Sequence, residues 1–192
     1  MKLFALAFGC AALLAFAPAF SQTTAVAHPV VLFKTTLGDI KVELDPQAAP
    51  KTVANFLQYV SSGQYAGTIF HRVIPGFMIQ GGGFDAKLNE RSTRAPIPLE
   101  SRNGLKNTAG TIAMARTSNP DSATSQFFIN TANNPSLDYP GQDGHGYAVF
   151  GHVIEGLDVV AKISQLPTTT HGQMEDVPSK PVLIESAAVV HK

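Results

Sequence analysis

The sequence predicts a mostly antiparallel β-sheet that can close into a barrel, with two helices covering its open ends. Three observations carry that expectation. Short apolar runs punctuated by glycine or proline recur from Val30 onward, and only two segments switch to a helical period. Strands and helices also fail to alternate regularly, as a doubly wound parallel sheet would require. Closing such short strands into a barrel removes their exposed edges.

Each element follows from its own pattern. Strands at 30–35 and 40–44 flank Gly38-Asp39, which is placed as a tight turn. Within 40–44, Ile40, Val42 and Leu44 alternate with Lys41 and Glu43, giving one buried and one wet face. The period then changes: Val53, Phe56, Leu57 and Val60 recur at helical spacing, with Pro50 near the start and Gly63 just past the end. Further strands are expected at 69–74, 77–80, 97–99, 111–115, 126–130 and 148–153. A second helix over 157–165 stops before Pro167, with Val159 and Ile163 on one face, and 182–190 is the closing strand. Glycine, proline and polar residues mark 85–96, 138–146 and 168–180 as exposed loops. No internal repeat or interdomain linker interrupts the pattern, so one domain is expected over 28–192.

The chain has 192 residues, 44% of them hydrophobic, which is enough for a sizeable core. Its 14 basic and 14 acidic residues balance, so no polybasic surface points to nucleic acid or anionic membrane. Lys2, followed by an uncharged apolar run over 3–16 and then small residues, reads as a secretory signal peptide over 1–21. Cleavage can follow Ser21 or come as late as Ala27, and Pro18 argues against a cut after Ala17. The one cysteine, Cys10, lies within this segment, and Ala7-Phe8-Gly9 makes a poor lipidation box. The mature chain then has no thiol chemistry and no disulfide. The C-terminal residues carry no retention signal. An exported protein, off the membrane once its signal is cleaved, is the expectation.

Chemistry concentrates in residues 70–83. Here Arg72 stands close to Phe77 and Met78, and Gln80 precedes the glycine run Gly81-Gly82-Gly83. A fixed cation beside soft apolar side chains suits a site that holds a proline ring and polarises the amide before it. The commoner fate of such an arginine is a surface salt bridge. In 126–130, Gln126 and Phe128 share one strand face while Phe127 and Ile129 share the other. If Phe127 and Ile129 fill a barrel, Phe128 faces outward, either beneath a loop or as part of a binding surface. Met78 and Gln80 also share a face, so Phe77 joins them only if Pro75-Gly76 bends the chain. The six histidines show no close ligand spacing, so no metal site is expected. His152 reads as structural. The glycine run has no following Lys-Ser or Lys-Thr, which excludes a phosphate loop. No nucleophile elbow accompanies His71.

The run from Phe70 to Gly83, with 111–116, Ser125-Gln126-Phe127-Phe128-Ile129 and Val149-Phe150-Gly151-His152-Val153, resembles the cyclophilins, a family of peptidyl-prolyl cis-trans isomerases. The resemblance covers 30–190 and is strongest to exported bacterial members. It implies a closed eight-stranded antiparallel barrel capped by two α-helices, and isomerase activity on Xaa-Pro bonds. It matches Arg72 to the catalytic arginine and His71 to its neighbouring histidine. Phe77, Met78, Phe128 and Leu137 match the proline pocket, and Gln80, Ala115, Arg116 and Gln126 the peptide groove. Two departures from eukaryotic members stand out. Ser136 replaces the tryptophan before Leu137, in a chain without tryptophan, and Tyr147 replaces a pocket histidine. Weak binding of the cyclic peptide cyclosporin is therefore expected.

Amide chemistry supplies the mechanism this implies. Rotation about a peptide bond meets a barrier of roughly 18–20 kcal/mol because nitrogen shares its lone pair with the carbonyl. A donor to the proline nitrogen weakens that conjugation, and a guanidinium can donate while staying charged. No metal, nucleophile or cofactor is needed. The expected partners are proline-containing unfolded or exported polypeptides, met by a monomer in the periplasm, where slow proline isomers limit folding. Two rivals are a groove that binds proline segments without turnover and a barrel that carries a small apolar ligand inside. Arg72 speaks against the first and the bulky strand residues against the second.

Overall fold

The computed structural model describes residues 28–190. The expected signal peptide and Cys10 lie outside them. Ten strands and two helices follow in the order β1 (Val30–Thr35), β2 (Gly38–Leu44), α1 (Pro50–Ser61), β3 (Thr68–Ile74), β4 (Met78–Asp85), β5 (Thr111–Met114) and β6 (Phe127–Asn130). After a short 3₁₀ turn at Pro135–Leu137 come β7 (Val149–Glu155), α2 (Leu157–Ser164), β8 (Thr168–His171), β9 (Met174–Pro178) and β10 (Leu183–Val190). Eight strands close a barrel in the order β1-β10-β3-β4-β6-β5-β7-β2, with every neighbouring pair antiparallel. The mostly β barrel with two helices is as the sequence predicts.

Alternation decides what fills it. Ile40, Val42, Leu44, Ile112, Phe127, Ile129 and Phe150 all point inward and are buried. Phe33 and Phe127 stack at 5.2 Å between ring centroids, and Phe56 of α1 meets Phe150 at 5.0 Å and Tyr65 at 5.3 Å. Side chains therefore occupy the interior, which disfavours the ligand-carrying barrel. α1 begins with Pro50 at its first position, where the missing N–H costs nothing. Glu100 then satisfies its free amides: Oε1 accepts from Lys51 N at 3.1 Å and Oε2 from Thr52 N at 2.8 Å. Gly63, at φ +71, lets the chain leave the helix.

Three expectations need correction. The first hairpin turns at Thr36-Leu37, not Gly38-Asp39, since Thr35 pairs with Gly38. Gly38 stands at φ +132, and a Cβ there would come within 2.8 Å of Val159 on α2, so glycine serves close packing as well as backbone shape. The strand expected at 97–99 is a single bridge between Ile97 and Ala123. Conversely, 168–180 is a two-stranded ribbon, β8 paired with β9, lying against β3.

Candidate active site

A bulge aims the central arginine. Phe70 pairs with Gly81 and Arg72 with Gln80, so β3 carries one extra residue between them. On a regular strand Phe70 and Arg72 would share a face. The insertion breaks that alternation: Phe70 and Val73 both enter the core, while Arg72 emerges on the outer wall with 45% of its side chain exposed. The facing strand is irregular too, and its glycines permit it. Gly82 sits at φ +84, where a Cβ would lie 2.8 Å from Tyr65 and 2.9 Å from Phe127. A Cβ at Gly83 would lie 2.6 Å from the Gln126 side chain.

From Arg72 a single cross-strand row runs over the outer face. Arg72 pairs with Gln80, Gln80 with Phe128, Phe128 with Ala113 and Ala113 with Val149. Met78, Ala113, Phe128 and Val149 form a buried apolar patch separate from the barrel core, bordered by Phe77, Ala115, Leu137 and Tyr147. The result is a cavity of about 130 Å³ lined by Arg72, Phe77, Met78, Gln80, Ala115, Arg116, Phe128, Leu137 and Tyr147. Phe77 joins because Gly76, at φ +70, makes the bend that the sequence required of Pro75-Gly76. Drug-sized pockets run to roughly 300–1,000 Å³, so this one suits a single small ring. A larger hollow of about 440 Å³ spreads over Glu100, Arg102, Asp121 and His145. It lies apart from the cross-strand row through Arg72, Gln80 and Phe128 and shares none of its residues.

Two of the eleven sequence candidates, His71 and Gln126, do not line the cavity. Gln126 accepts a 2.9 Å hydrogen bond from Gln80 Nε2 through its Oε1, which orients the Gln80 amide. His71 is buried at 4% exposure, against the Phe84 ring at 4.7 Å, and its Nδ1 has no hydrogen-bond partner. Burial, helped by the adjacent Arg72 charge, lowers its pKa from 6.5 to about 4. The unfolded chain therefore takes up this proton first as pH falls. His71 stability is complete above pH 6.5 and is lost as pH drops from 6.5 towards 4, about 3 kcal/mol over the window. Urea unfolding at pH 7, 5.5 and 4 is expected to show that slope, and His71→Gln to flatten it; an unchanged slope in the variant would assign it to other groups.

Arg116 is placed differently from Arg72. Its side chain is 1% exposed. Nε and Nη2 donate to the Gly146 carbonyl at 3.1 and 2.8 Å, Nη1 donates to Thr117 O at 3.0 Å, and Nη2 also pairs with Asp143. The guanidinium further lies 4.4 Å from the Tyr147 ring centroid. The Arg116 hydrogen bond, with the backbone N–H groups of Gly146 and His145, holds the Asp143 carboxyl far below its usual range. Arg116 thus ties the 138–146 loop to the cavity and presents its body, not a free charge.

Sequence reasoning missed a chain of buried asparagines that holds the pocket rim. Asn134 Nδ2 donates to Phe77 O at 2.9 Å and to Asn130 Oδ1 at 2.7 Å. Asn130 Nδ2 donates to Thr111 Oγ1 at 2.9 Å and to Asn107 Oδ1 at 3.2 Å, and Asn107 N donates to Asp138 Oδ1 at 2.7 Å. The Phe77 bend, the turn bearing Leu137 and the loop beginning at Asp138 are thereby one network. The available signal was the density of asparagine around 130–134.

Comparison with known proteins places this geometry. A family model described as cyclophilin type peptidyl-prolyl cis-trans isomerase/CLD matches residues 30–189. The chain is 55% identical over 180 residues to peptidyl-prolyl cis-trans isomerase A of Dickeya dadantii, covering 94% of this chain and 93% of the relative. It is 51% identical to peptidyl-prolyl cis-trans isomerase B of Escherichia coli K12, covering 83% and 99%. A crystal structure of a cyclophilin type peptidyl-prolyl cis-trans isomerase from Cryptosporidium parvum superposes with a TM-score of 0.72 at 28% identity, covering 86% and 99%. The structure of that protein in the presence of the dipeptide Ala-Pro superposes with a TM-score of 0.70 at 28% identity, covering 85% and 99%.

Proposed function

From its place in the cyclophilin-type peptidyl-prolyl cis-trans isomerases, the family to which this chain belongs, we propose that the protein speeds Xaa-Pro rotation in exported polypeptides and so assists their folding in the periplasm. The enzyme is an isomerase. The observation that supports its assigned machinery is the open guanidinium of Arg72 at the rim of a cavity floored by Met78 and Phe128 and sized for one ring.

In this reading Phe77, Met78, Phe128 and Leu137 seat the proline ring on the Phe128 floor. The carbonyl before proline then swings while the ring stays fixed. Arg72 donates to the imide nitrogen as its lone pair leaves conjugation, an interaction strongest in the twisted state. Gln80, held by Gln126, offers its amide to the peptide backbone beside the pocket. Five powers of ten in rate require about 7 kcal/mol, more than one hydrogen bond supplies, so ring placement and exclusion of water contribute too. The signal-peptide pattern at 1–21, with its apolar run over 3–16, supports export.

Exchange spectroscopy on a short Ala-Pro peptide tests the reaction, and fractionation of cells producing the full chain tests its location. Recovery of uncleaved protein in the cytoplasm would sink the export reading and leave the isomerase standing. The lack of an indole beside Leu137 predicts weak cyclosporin binding, because an N–H donor and a large apolar face are absent. Drug titrated against turnover is expected to inhibit only at micromolar doses or above; potent low-nanomolar inhibition would refute this.

A further inference from the structure

The β8–β9 ribbon lies outside the barrel and packs on β3. Buried Val177 and Pro178 anchor its second strand. Just before them Asp176 stands at φ +59, a left-handed conformation that a residue with a side chain adopts at a cost. Its Oδ2 lies 3.6 Å from Nε of Arg72, within ion-pair range though longer than a hydrogen bond. Asp176 is the one ion-pair partner of the Arg72 guanidinium among the described residues. With the two side chains 36% and 45% exposed, such a pair adds little to stability. A strained backbone that gains little stability calls for another reason, and the contact itself offers one. Engaging Nε leaves both terminal nitrogens of a long, flexible side chain free to face the cavity.

We propose that Asp176 is a positioning residue, whose carboxylate holds the Nε edge of Arg72 so that the terminal nitrogens meet the imide. This rests on the assignment of Arg72 as the donor. Alignment, not charge alone, is then what the ribbon contributes to the reaction.

Kinetics of Asp176→Asn and Asp176→Gly, each alone and combined with Arg72→Ala, test it. Asparagine keeps the shape and tolerates the backbone, and glycine relieves it. Both single variants are expected to lose about tenfold in kcat, with KM little changed. Thermal stability of Asp176→Gly is expected to hold or rise, which separates positioning from folding. Measured at high enzyme concentration, neither change should lower kcat further in the Arg72→Ala background. Undiminished kcat in both single variants, beside a collapsed Arg72→Ala, overturns the role of Asp176 alone. Equal losses in both backgrounds overturn it as well, because the effect then bypasses Arg72. Full turnover in Arg72→Ala instead overturns the assignment of Arg72.

Discussion

Arg72→Ala is expected to reduce kcat for Ala-Pro isomerisation by about 10²–10³, the loss typical when one preorganised donor is removed from a developing charge. That corresponds to roughly 2.7–4 kcal/mol of transition-state stabilisation. Peptide affinity should change little, because the apolar lining of Phe77, Met78, Phe128 and Leu137 is untouched. The asymmetry is the informative part. A group that bound both planar isomers would raise KM on removal, whereas one that binds only the twisted state lowers kcat and kcat/KM together. Folding should survive, since Arg72 is on the outer wall and its ion pair with Asp176 is partly exposed. Arg72→Lys retains the charge but loses the planar fork, so it should recover only part of the rate. Exchange spectroscopy of the three proteins at matched peptide concentrations decides the matter. Wild-type turnover in Arg72→Ala would move the donor role to another residue, with Gln80 the nearest candidate in the cross-strand row.

What could be read from the chain follows from what leaves a period. Ile40, Val42 and Leu44 alternate with Lys41 and Glu43, and Phe127 and Ile129 alternate with Phe128, because one face meets the core. Their strands, and the outward Phe128, were therefore legible. The β8–β9 ribbon was not, since all four residues of β8 are polar and exposed and give no apolar alternation to mark a strand. The His71 bulge was equally silent, as an inserted residue looks like any other in a strand. It nonetheless decides which way Arg72 points. Asparagines in loops read as exposed turn formers, yet Asn107, Asn130 and Asn134 are buried because they satisfy one another and the backbone. Arg72 and Arg116 look alike in sequence; the Gly146 and Thr117 carbonyls and the Asp143 carboxylate lock the second guanidinium, while the first is partly exposed.

Phe128→Ala is the second large expectation, and it acts on the other half of the site. The ring is 4% exposed, meets Tyr147 edge-on at 5.6 Å and lies between Gln80 and Ala113 in the cross-strand row. Truncation leaves a hole under the pocket at a cost of about 3–5 kcal/mol in stability. It also removes the surface on which a proline ring would rest, worth about 1–3 kcal/mol of apolar contact and so roughly 5- to 150-fold in KM. That contact is shared by both isomers and the twisted state, so kcat should fall much less than in Arg72→Ala. Phe128→Leu, which keeps most of the apolar volume, should retain both stability and KM more nearly. The needed control is an equally costly truncation inside the barrel. Phe33→Ala removes a fully buried ring that stacks on Phe127 and lines no part of the cavity. Urea unfolding should rank the two alanine variants together, while peptide KM rises only for Phe128→Ala. A matching KM rise in Phe33→Ala would mean that the outer patch merely reports barrel integrity, and the proline-floor role of Phe128 would fall.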